Sequence, residues 1–492
     1  MNSNNSAKIP IYDYLLLLLI LGLAFYMAFI PHLNYPYAVH IDEWVHLAAQ
    51  NAILQTGSTT FSNPLSISAE ESMGFSYTFE TGYDLFWGIF HQISGIDWMI
   101  IYRYFPSIVL MLTALSAYVL GRREGFGWEA AFFACLIPTT VGILGPAFLV
   151  PVAMGLLFIP LAIFVAFNFK SIWSYVVLFA LTVTLFTIHG ATALAFVIGL
   201  APYALLNLKG DFKHGLGVAL AIGVPCLVPF LWLSQGLLTL AKELFTPQPL
   251  VEYVQLPLVI QNYGYLPVAL CALGTFVLVI KGGKKSYGLI FGLLALLLML
   301  TSYYTLQRGI AILYYRGLMS AMLMTGMVAG AGLMMVKNLK LPQMFSDRLR
   351  LPPITRNVGY VLCAALVALT LFIGIPDRQA IPYYHMIDNE DYEAFIWIKD
   401  HVDGEYNKAI LDPWKATAFI AITGKKVYSR IHAFPKDTDK EAYAFLDGGA
   451  ADTAFLRENK ISLVYTRSGT SNPDLVEVRK YIYTLKEAPQ GE

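Results

Sequence analysis

Asp42-Glu43-Trp44-Val45-His46 is the run of this 492-residue chain that offers the most chemistry. On a helix, Asp42 and His46 stand one turn apart, with Glu43 three residues before His46. Two adjacent carboxylates can divide two tasks. One takes a proton from an attacking hydroxyl as a general base. Either can ligate a hard cation, Mg2+ or Mn2+, that neutralises a phosphate leaving group. The same pair also reads as a plain helix start, because the macrodipole favours acids in a first turn, and composition alone favours that reading.

Other groups stand farther along the chain. Glu80 and Asp84 are one turn apart and offer a contact to a sugar or a metal; a solvated helix face is the simpler alternative. Arg308 and Arg316 flank the opening of a long apolar segment, and Arg103 begins another. An arginine at a membrane is costly unless paired or used, and its planar fork suits a phosphate. Snorkelling to headgroups or pairing with acids is the competing account, favoured for Arg103. His189-Gly190 closes a further apolar segment, where capping or a headgroup contact outweighs a ligand role.

These residues must be positioned by a membrane scaffold. Hydrophobic residues make up 57% of the chain and charged ones 13%, against about 25% charged in soluble proteins. That excludes a disordered chain and an ordinary cytosolic enzyme. Lys+Arg and Asp+Glu both number 33, so charge gives no pointer to nucleic acid. Eleven apolar segments are long enough to cross a bilayer: 12–31, 99–120, 127–145, 147–168, 172–188, 190–207, 215–239, 263–280, 286–305, 311–336 and 357–376. The first lacks a small-residue cleavage site and reads as a helix, not a leader. Cys135, Cys226, Cys271 and Cys363 lie inside these segments with neither disulfide nor zinc spacing.

Within residues 1–376, one alternate set of connections carries Lys8, Arg122, Arg123, Lys170, Lys209, Lys213, Lys281, Lys284, Lys285, Lys337, Lys340, Arg348, Arg350 and Arg356, and the other only Arg103, Lys242, Arg308 and Arg316. The positive-inside rule then sets the N-terminus in the cytoplasm, and eleven crossings put residues 377–492 outside. The expected fold is a polytopic α-helical membrane domain, 1–376, followed by a small extracytoplasmic α/β domain, 377–492. Loop 32–98 holds Asp42, Glu43, Glu70, Glu71, Glu80, Asp84 and Asp97 with no Lys or Arg. Its segments 41–55 and 82–95 read as amphipathic helices along the membrane surface. In the C-terminal domain, Asp388 and Asp391 begin a helix with Tyr392, Phe395, Ile396 and Ile398 on its apolar face. Strand-like runs follow at 408–411, 426–430 and 461–466, with helical patterns near 414–423 and 450–458.

Loop 32–98 resembles the first external loop of the GT-C superfamily, the polytopic glycosyltransferases that use polyprenyl-phosphate-linked sugars. It is most similar to the catalytic subunit of oligosaccharyltransferases, with Asp42 and His46 matching their D-x-x-x-H pattern and Gly57 the turn after the helix. The likeness continues at Pro106, at Gly121-Arg122-Arg123-Glu124, and at Arg316-Gly317 opening a helix that ends Ala329-Gly330-Ala331-Gly332. Asp412-Pro413-Trp414 resembles the region where those enzymes carry WWDYG, which implies a substrate contact for Trp414. Glu243 is a weaker counterpart of a family glutamate. The chain departs from the pattern in having no acid between Glu129 and Asp211, where the family places a second acidic motif.

The resemblance implies an integral-membrane glycosyltransferase with a polyprenyl-phosphate-linked sugar donor, the donor phosphate near Arg316 and Asp42 as base toward an acceptor hydroxyl. Glu43 would orient the acceptor or share a cation, and His46 would orient Asp42 or meet phosphate. The acceptor, whether glycan, lipid or protein, stays open. So do transfer of a lipid-linked glycan to protein Asn, a lipid or solute transporter, and a non-catalytic family member. A transporter usually shows matching halves, and none is visible.

Overall fold

The computed structural model describes residues 11–67, 80–140, 142, 144–232, 246, 256–340, 358–402, 406–431 and 435–486. The chain forms two compact units. The first combines the segment up to Leu33 with Tyr104–Pro382; the second combines Asn34–Arg103 with the chain from Tyr383 onward. The acidic loop therefore folds with the C-terminal segment and not, as its place in the sequence suggests, with the apolar helices.

The helices of the first unit are α1 (Ile11–Phe29), most of α4 (Trp98–Glu124), α5 (Gly127–Ala134), α6 (Pro151–Asn168), α7 (Ile172–Ile188), α8 (Gly190–Leu208), α9 (Phe212–Trp232), α10 (Leu256–Tyr263), α11 (Tyr265–Lys281), α12 (Gly283–Leu306), α13 (Ala311–Lys337) and α14 (Val358–Gln379). The second unit contains α2 (Ile41–Thr56) and α3 (Thr81–Ser94) from the loop. From the C-terminal segment it adds α15 (Asn389–His401), β1 (Lys408–Ile410), α16 (Ala416–Thr423), α17 (Asp437–Asp447), α18 (Thr453–Glu458), β2 (Ile461–Tyr465), β3 (Leu475–Arg479) and β4 (Ile482–Leu485).

Among the described residues, seven helices are long and apolar enough to cross a membrane: α1 with its following turn, α4, α6, α8, α12, α13 and α14. Shorter apolar helices cover Ile172–Ile188, Phe212–Leu227 and Tyr265–Lys281. The protein is a multi-pass membrane protein. The segment 127–145 differs from expectation, because it is helical only to Ala134. Pro138 has no N–H to continue a helix and disfavours helical geometry before it. The chain then folds back so tightly that a Cβ on Gly145 would stand 2.1 Å from the Cα of Thr139. The Thr139 hydroxyl accepts the Ala147 N–H at 2.9 Å, supplying one of the partners a helix would have provided.

α13 is the axis of the first unit and is buried along nearly its whole length. Glycines let two neighbours approach its backbone. A Cβ on Gly332 would lie 2.1 Å from the Leu270 carbonyl of α11, and one on Gly330 would lie 2.7 Å from the Ala130 nitrogen of α5. Close backbone approach through small residues is how helices associate where lipid removes the hydrophobic drive.

The basic connections gather at one end of this unit. Lys281 and Lys285 reach Glu124 at 3.0 and 3.3 Å, and Lys285 also donates to Asn168 at 2.8 Å. Lys284 donates to Asn207 at 3.2 Å, and Lys170 pairs with Asp211 at 2.8 Å. All four cysteines are free and buried, as their apolar settings suggest.

In the second unit a four-stranded sheet has the order β1-β2-β4-β3, with β1 parallel to β2 and the other pairs antiparallel. Ile410, Phe445, Leu456, Ile461 and Val464 build its core. The expected strand at 426–430 is reduced to a single bridge, Val427 to Ala409. The helix α17 and the β3–β4 hairpin escaped the sequence reading. As expected, Asp388 and Asp391 cap α15 reciprocally.

α2 is not a surface helix. It is buried from Glu43 through Gln50 and packs on α3 and α16. Asn51 donates to the Ala421 carbonyl of α16 at 3.0 Å and accepts from the Trp98 indole at 3.0 Å. Tyr35 donates to the Ile387 carbonyl at 2.9 Å.

Candidate active site

The head of α2 separates its two acids. His40 is the cap residue, in extended geometry, and its Nδ1 accepts the Asp42 N–H at 3.1 Å. Glu43 turns back so that Oε2 accepts the N–H groups of Val39 at 2.8 Å and His40 at 3.0 Å. The Glu43 side chain is completely buried there. This is a capping box, which satisfies donors that a helix start leaves orphaned. For Glu43 the helix-start reading is therefore the one the structure shows. Asp42, one position earlier on the helix, projects elsewhere. Its side chain is 24% exposed, and Oδ1 lies 4.0 Å from His40 Nδ1.

Below this cap runs a buried polar chain. His46 Nδ1 and Asp84 Oδ1 are 3.0 Å apart. Asp84 also accepts from the Gln50 amide at 3.3 Å, and the Tyr102 hydroxyl donates to Gln50 Oε1 at 2.9 Å. His46 Nε2 faces Glu80 Oε2 at 3.8 Å, and Tyr83 packs edge-on against the ring. Burial alone would pull the His46 imidazole down; the charge and hydrogen bond of Asp84, with Glu80 and Asp42 beyond, overcome it and push the pKa up to about 9. Burial pushes the Asp84 carboxyl up against the pull of His46 and Gln50, so the buried pair holds a proton between imidazole and carboxyl.

Three expectations change accordingly. Asp84 is buried and faces no solvent, because the helix spacing that suggested an exposed face could not show α2 packed over it. His46 does not orient Asp42, since its ring nitrogens are directed at Asp84 and Glu80. Glu43 is first of all a helix cap: its Oε2 is taken up by two backbone donors, which weakens it as a cation ligand. The described residues contain no group of three or more His, Cys, Asp or Glu that could hold a metal ion.

Asp42, Glu43, His46, Glu80 and Asp84 are thus brought together within the second unit. Trp414 joins them through aromatic contacts. It meets Tyr384 edge-on at 5.1 Å between ring centroids, and Tyr384 lies 5.5 Å from the His40 ring. The turn before it is fixed by Asp412, whose Oδ1 accepts from the Trp414 N–H and the Tyr443 hydroxyl, both at 2.9 Å. Gln50 and Tyr102 were missed in the sequence. Gln50 sits one turn beyond His46, a signal that periodicity gave, but nothing in the sequence announced Tyr102.

The remaining candidates belong to the first unit. His189 is a shared cap between α7 and α8; its Nδ1 accepts the Thr192 N–H at 3.2 Å and lies 2.6 Å from the Thr192 hydroxyl. Arg308 is exposed between α12 and α13, and Arg316 is half-buried in the second turn of α13, two residues after Tyr314, which stacks on Tyr303 at 4.7 Å between ring centroids. Glu243 lies outside the described residues.

No protein-family model and no curated protein matches the sequence. The fold has solved counterparts. The archaeal oligosaccharyltransferase AglB from Archaeoglobus fulgidus, solved with an inhibitory peptide and a dolichol-phosphate, aligns with a TM-score of 0.59 at 10% identity, over 92% of this chain and 69% of that one. The oligosaccharyltransferase of the same organism solved with Zn and sulfate gives a TM-score of 0.54 at 12% identity, over 91% and 67%. ArnT from Cupriavidus metallidurans in the apo state gives 0.53 at 13% identity, over 93% of both chains. Both proteins are GT-C glycosyltransferases. The chain accordingly has the GT-C glycosyltransferase fold, and the oligosaccharyltransferase-like resemblance read from loop 32–98 holds at the level of architecture.

Proposed function

We propose that this chain is an integral-membrane glycosyltransferase that moves a sugar from a polyprenyl-phosphate-linked donor to an acceptor hydroxyl, with Asp42 as general base. The observation that carries this reading is the division of labour at the head of α2. Glu43 is consumed by backbone donors while Asp42 stays partly open to solvent, in a chain with the GT-C fold.

In the reaction, the acceptor oxygen attacks the anomeric carbon as the bond from that carbon to the phosphate oxygen breaks. Asp42 takes the acceptor proton, and polyprenyl phosphate leaves with the electron pair. Positive charge builds on the sugar ring in the transition state, and a single displacement inverts the anomeric centre. His46, whose ring nitrogens face Asp84 and Glu80, serves neither as base nor as nucleophile; with Asp84 it positions the α2–α3 pair that carries Asp42. Glu80 and Trp414 are proposed as sugar contacts. Arg316, with Arg308, is proposed as the partner of the donor phosphate. The reaction is written without a metal, because Glu43 Oε2 already serves two backbone donors. The basic end of the first unit is assigned to the cytoplasm, which sets the C-terminal segment, residues 377–492, on the extracytoplasmic side.

The test is sugar release by the purified full-length protein from a panel of polyprenyl-phosphate and polyprenyl-diphosphate donors, alongside Asp42→Asn. Wild type should consume a monophosphate-linked sugar, keep doing so in a chelator, and lose about 10²–10⁴-fold with the variant. Consumption of a diphosphate-linked oligosaccharide with a peptide acceptor would favour transfer to Asn instead, a reading supported by the likeness to AglB. Equal inactivity of both proteins with every donor would overturn the enzyme reading in favour of a transporter or a non-catalytic protein.

A further inference from the structure

A cavity in the first unit is lined by residues the proposed chemistry does not use. It measures 760 Å3 and opens among α1, α4, α5, α13 and α14. Its charged lining residues sort into one satisfied pair and two single charges. Glu129 is buried and bound by the Lys337 ammonium, which also sits 4.8 Å over the Trp128 ring. Arg122 donates to the Tyr118 hydroxyl at 2.5 Å and has no carboxylate within ion-pair reach among the described residues. Asp13, half-buried in the first turn of α1, likewise has no cation partner among them. The two line one cavity from different helices without pairing to each other.

The depth of the cavity in a bilayer follows from its neighbours. Arg122 is two residues from Glu124, which ties together the basic connections at that end of the unit. This is the level of phospholipid headgroups, and aromatic residues such as Trp128 and Tyr360 on the lining suit such an interface. Away from the charges, Ala364, Val367, Ala368 and Leu371 of α14 line the same cavity. Their spacing puts them on one helix face as an apolar track about 10 Å long.

A single guanidinium and a single carboxylate, held apart at headgroup depth above an apolar track, complement a zwitterion with an acyl chain. A purely anionic headgroup would leave Asp13 opposed to it. We propose that this cavity binds a glycerophospholipid bearing a phosphate and a primary ammonium, with the phosphate on Arg122, the ammonium on Asp13 and one chain along α14. The guanidinium fork matches phosphate oxygens, and basic pockets between membrane helices are established headgroup sites.

The experiment uses the delipidated full-length protein titrated with phosphatidylethanolamine, phosphatidylglycerol or phosphatidylcholine, read by native mass spectrometry and by the shift in Tm. Saturable binding of phosphatidylethanolamine at least tenfold tighter than the other two is expected. Arg122→Gln should weaken it by tenfold or more. Asp13→Asn should remove the preference over phosphatidylglycerol while leaving the apo Tm unchanged. Ala368→Trp fills the track without touching either charge and should expel the lipid. Equal retention of all three lipids by wild type, a preference for phosphatidylglycerol that Asp13→Asn leaves alone, or undiminished binding in Arg122→Gln would each overturn the proposal.

Discussion

His46 Nδ1 lies 3.0 Å from Asp84 Oδ1, and both side chains are buried although 38 positions separate them in sequence. The contact joins α2 to α3 by a charged hydrogen bond inside the second unit, with Gln50 and Tyr102 completing it on the Asp84 side. A histidine so placed makes stability depend on pH in a definite direction.

The His46 pKa is raised to about 9 in the folded protein from an ordinary value of 6.5. The stabilisation is therefore fully present below pH 6.5 and is lost as pH rises through about 9. Chemical denaturation of detergent-purified protein should show stability falling between pH 6.5 and 9. His46→Gln should be less stable at pH 6 and flat across this range. A wild-type curve that rises through the same window would remove the charged-pair description.

Asp42 and Glu43 are adjacent but should fail differently. Asp42→Asn is expected to keep the wild-type Tm while losing turnover. Glu43→Ala strips two backbone donors of their acceptor and should cost about 1–2 kcal/mol of stability. Thermal unfolding of the two variants side by side separates these roles, and an unstable Asp42→Asn with a stable Glu43→Ala would reverse the assignment.

Gly274 and Gly332 mark the crossing of α11 and α13. A Cβ on Gly274 would stand 1.9 Å from the Val328 carbonyl oxygen, a backbone atom that cannot swing aside. Alanine at either position should destabilise by about 1–3 kcal/mol, as overpacking does. Gly223, with nothing within 4 Å of its Cβ position, serves as the control. Alanine there should be neutral or slightly stabilising, since it improves helix propensity. Matching Tm values for Gly332→Ala and Gly223→Ala would contradict the crossing.

Arg467 clamps the start of α15, with one nitrogen 2.7 Å from Asp388 Oδ2 and another 2.9 Å from Asp391 Oδ1. Its hydrogen bond holds the Asp388 carboxyl well below the usual carboxylate range. A lowered carboxylate contributes above its ordinary pKa of 3.8 and loses that contribution as pH falls below it. Arg467→Gln should move the acid-unfolding midpoint of the second unit to higher pH, followed by tryptophan fluorescence. Coincident acid transitions in the two proteins would refute the clamp.

The membrane class, nearly all the apolar helices, the two loop helices and the α15 cap were legible in the sequence, because each is local. Hydropathy over some twenty residues, helical spacing, and an acid at a cap followed three residues later by another carry their own meaning. The acidic cluster was legible for the same reason: Asp42, Glu43 and His46 share one helix turn or two, and Glu80 and Asp84 another. What was lost is everything that depends on which faces meet. Pro138 hinted at a break in 127–145, but the return of Gly145 onto Thr139 is a fold-back that no periodicity reports.

Only the tertiary structure decided which acid is open. At the head of α2, Asp42 and Glu43 differ by one residue; the residue types alone let either act as base or ligand, and only the family resemblance told them apart. The chain path through Val39 and His40 aims two N–H groups at Glu43, and burial then commits it, while the Asp42 side chain stays 24% exposed. Likewise Asp84 reads as a surface acid until α2 covers it and His46 supplies the counter-charge that makes its burial tolerable. Residue types determined what chemistry the chain can offer; long-range packing determined which of those groups are left to perform it.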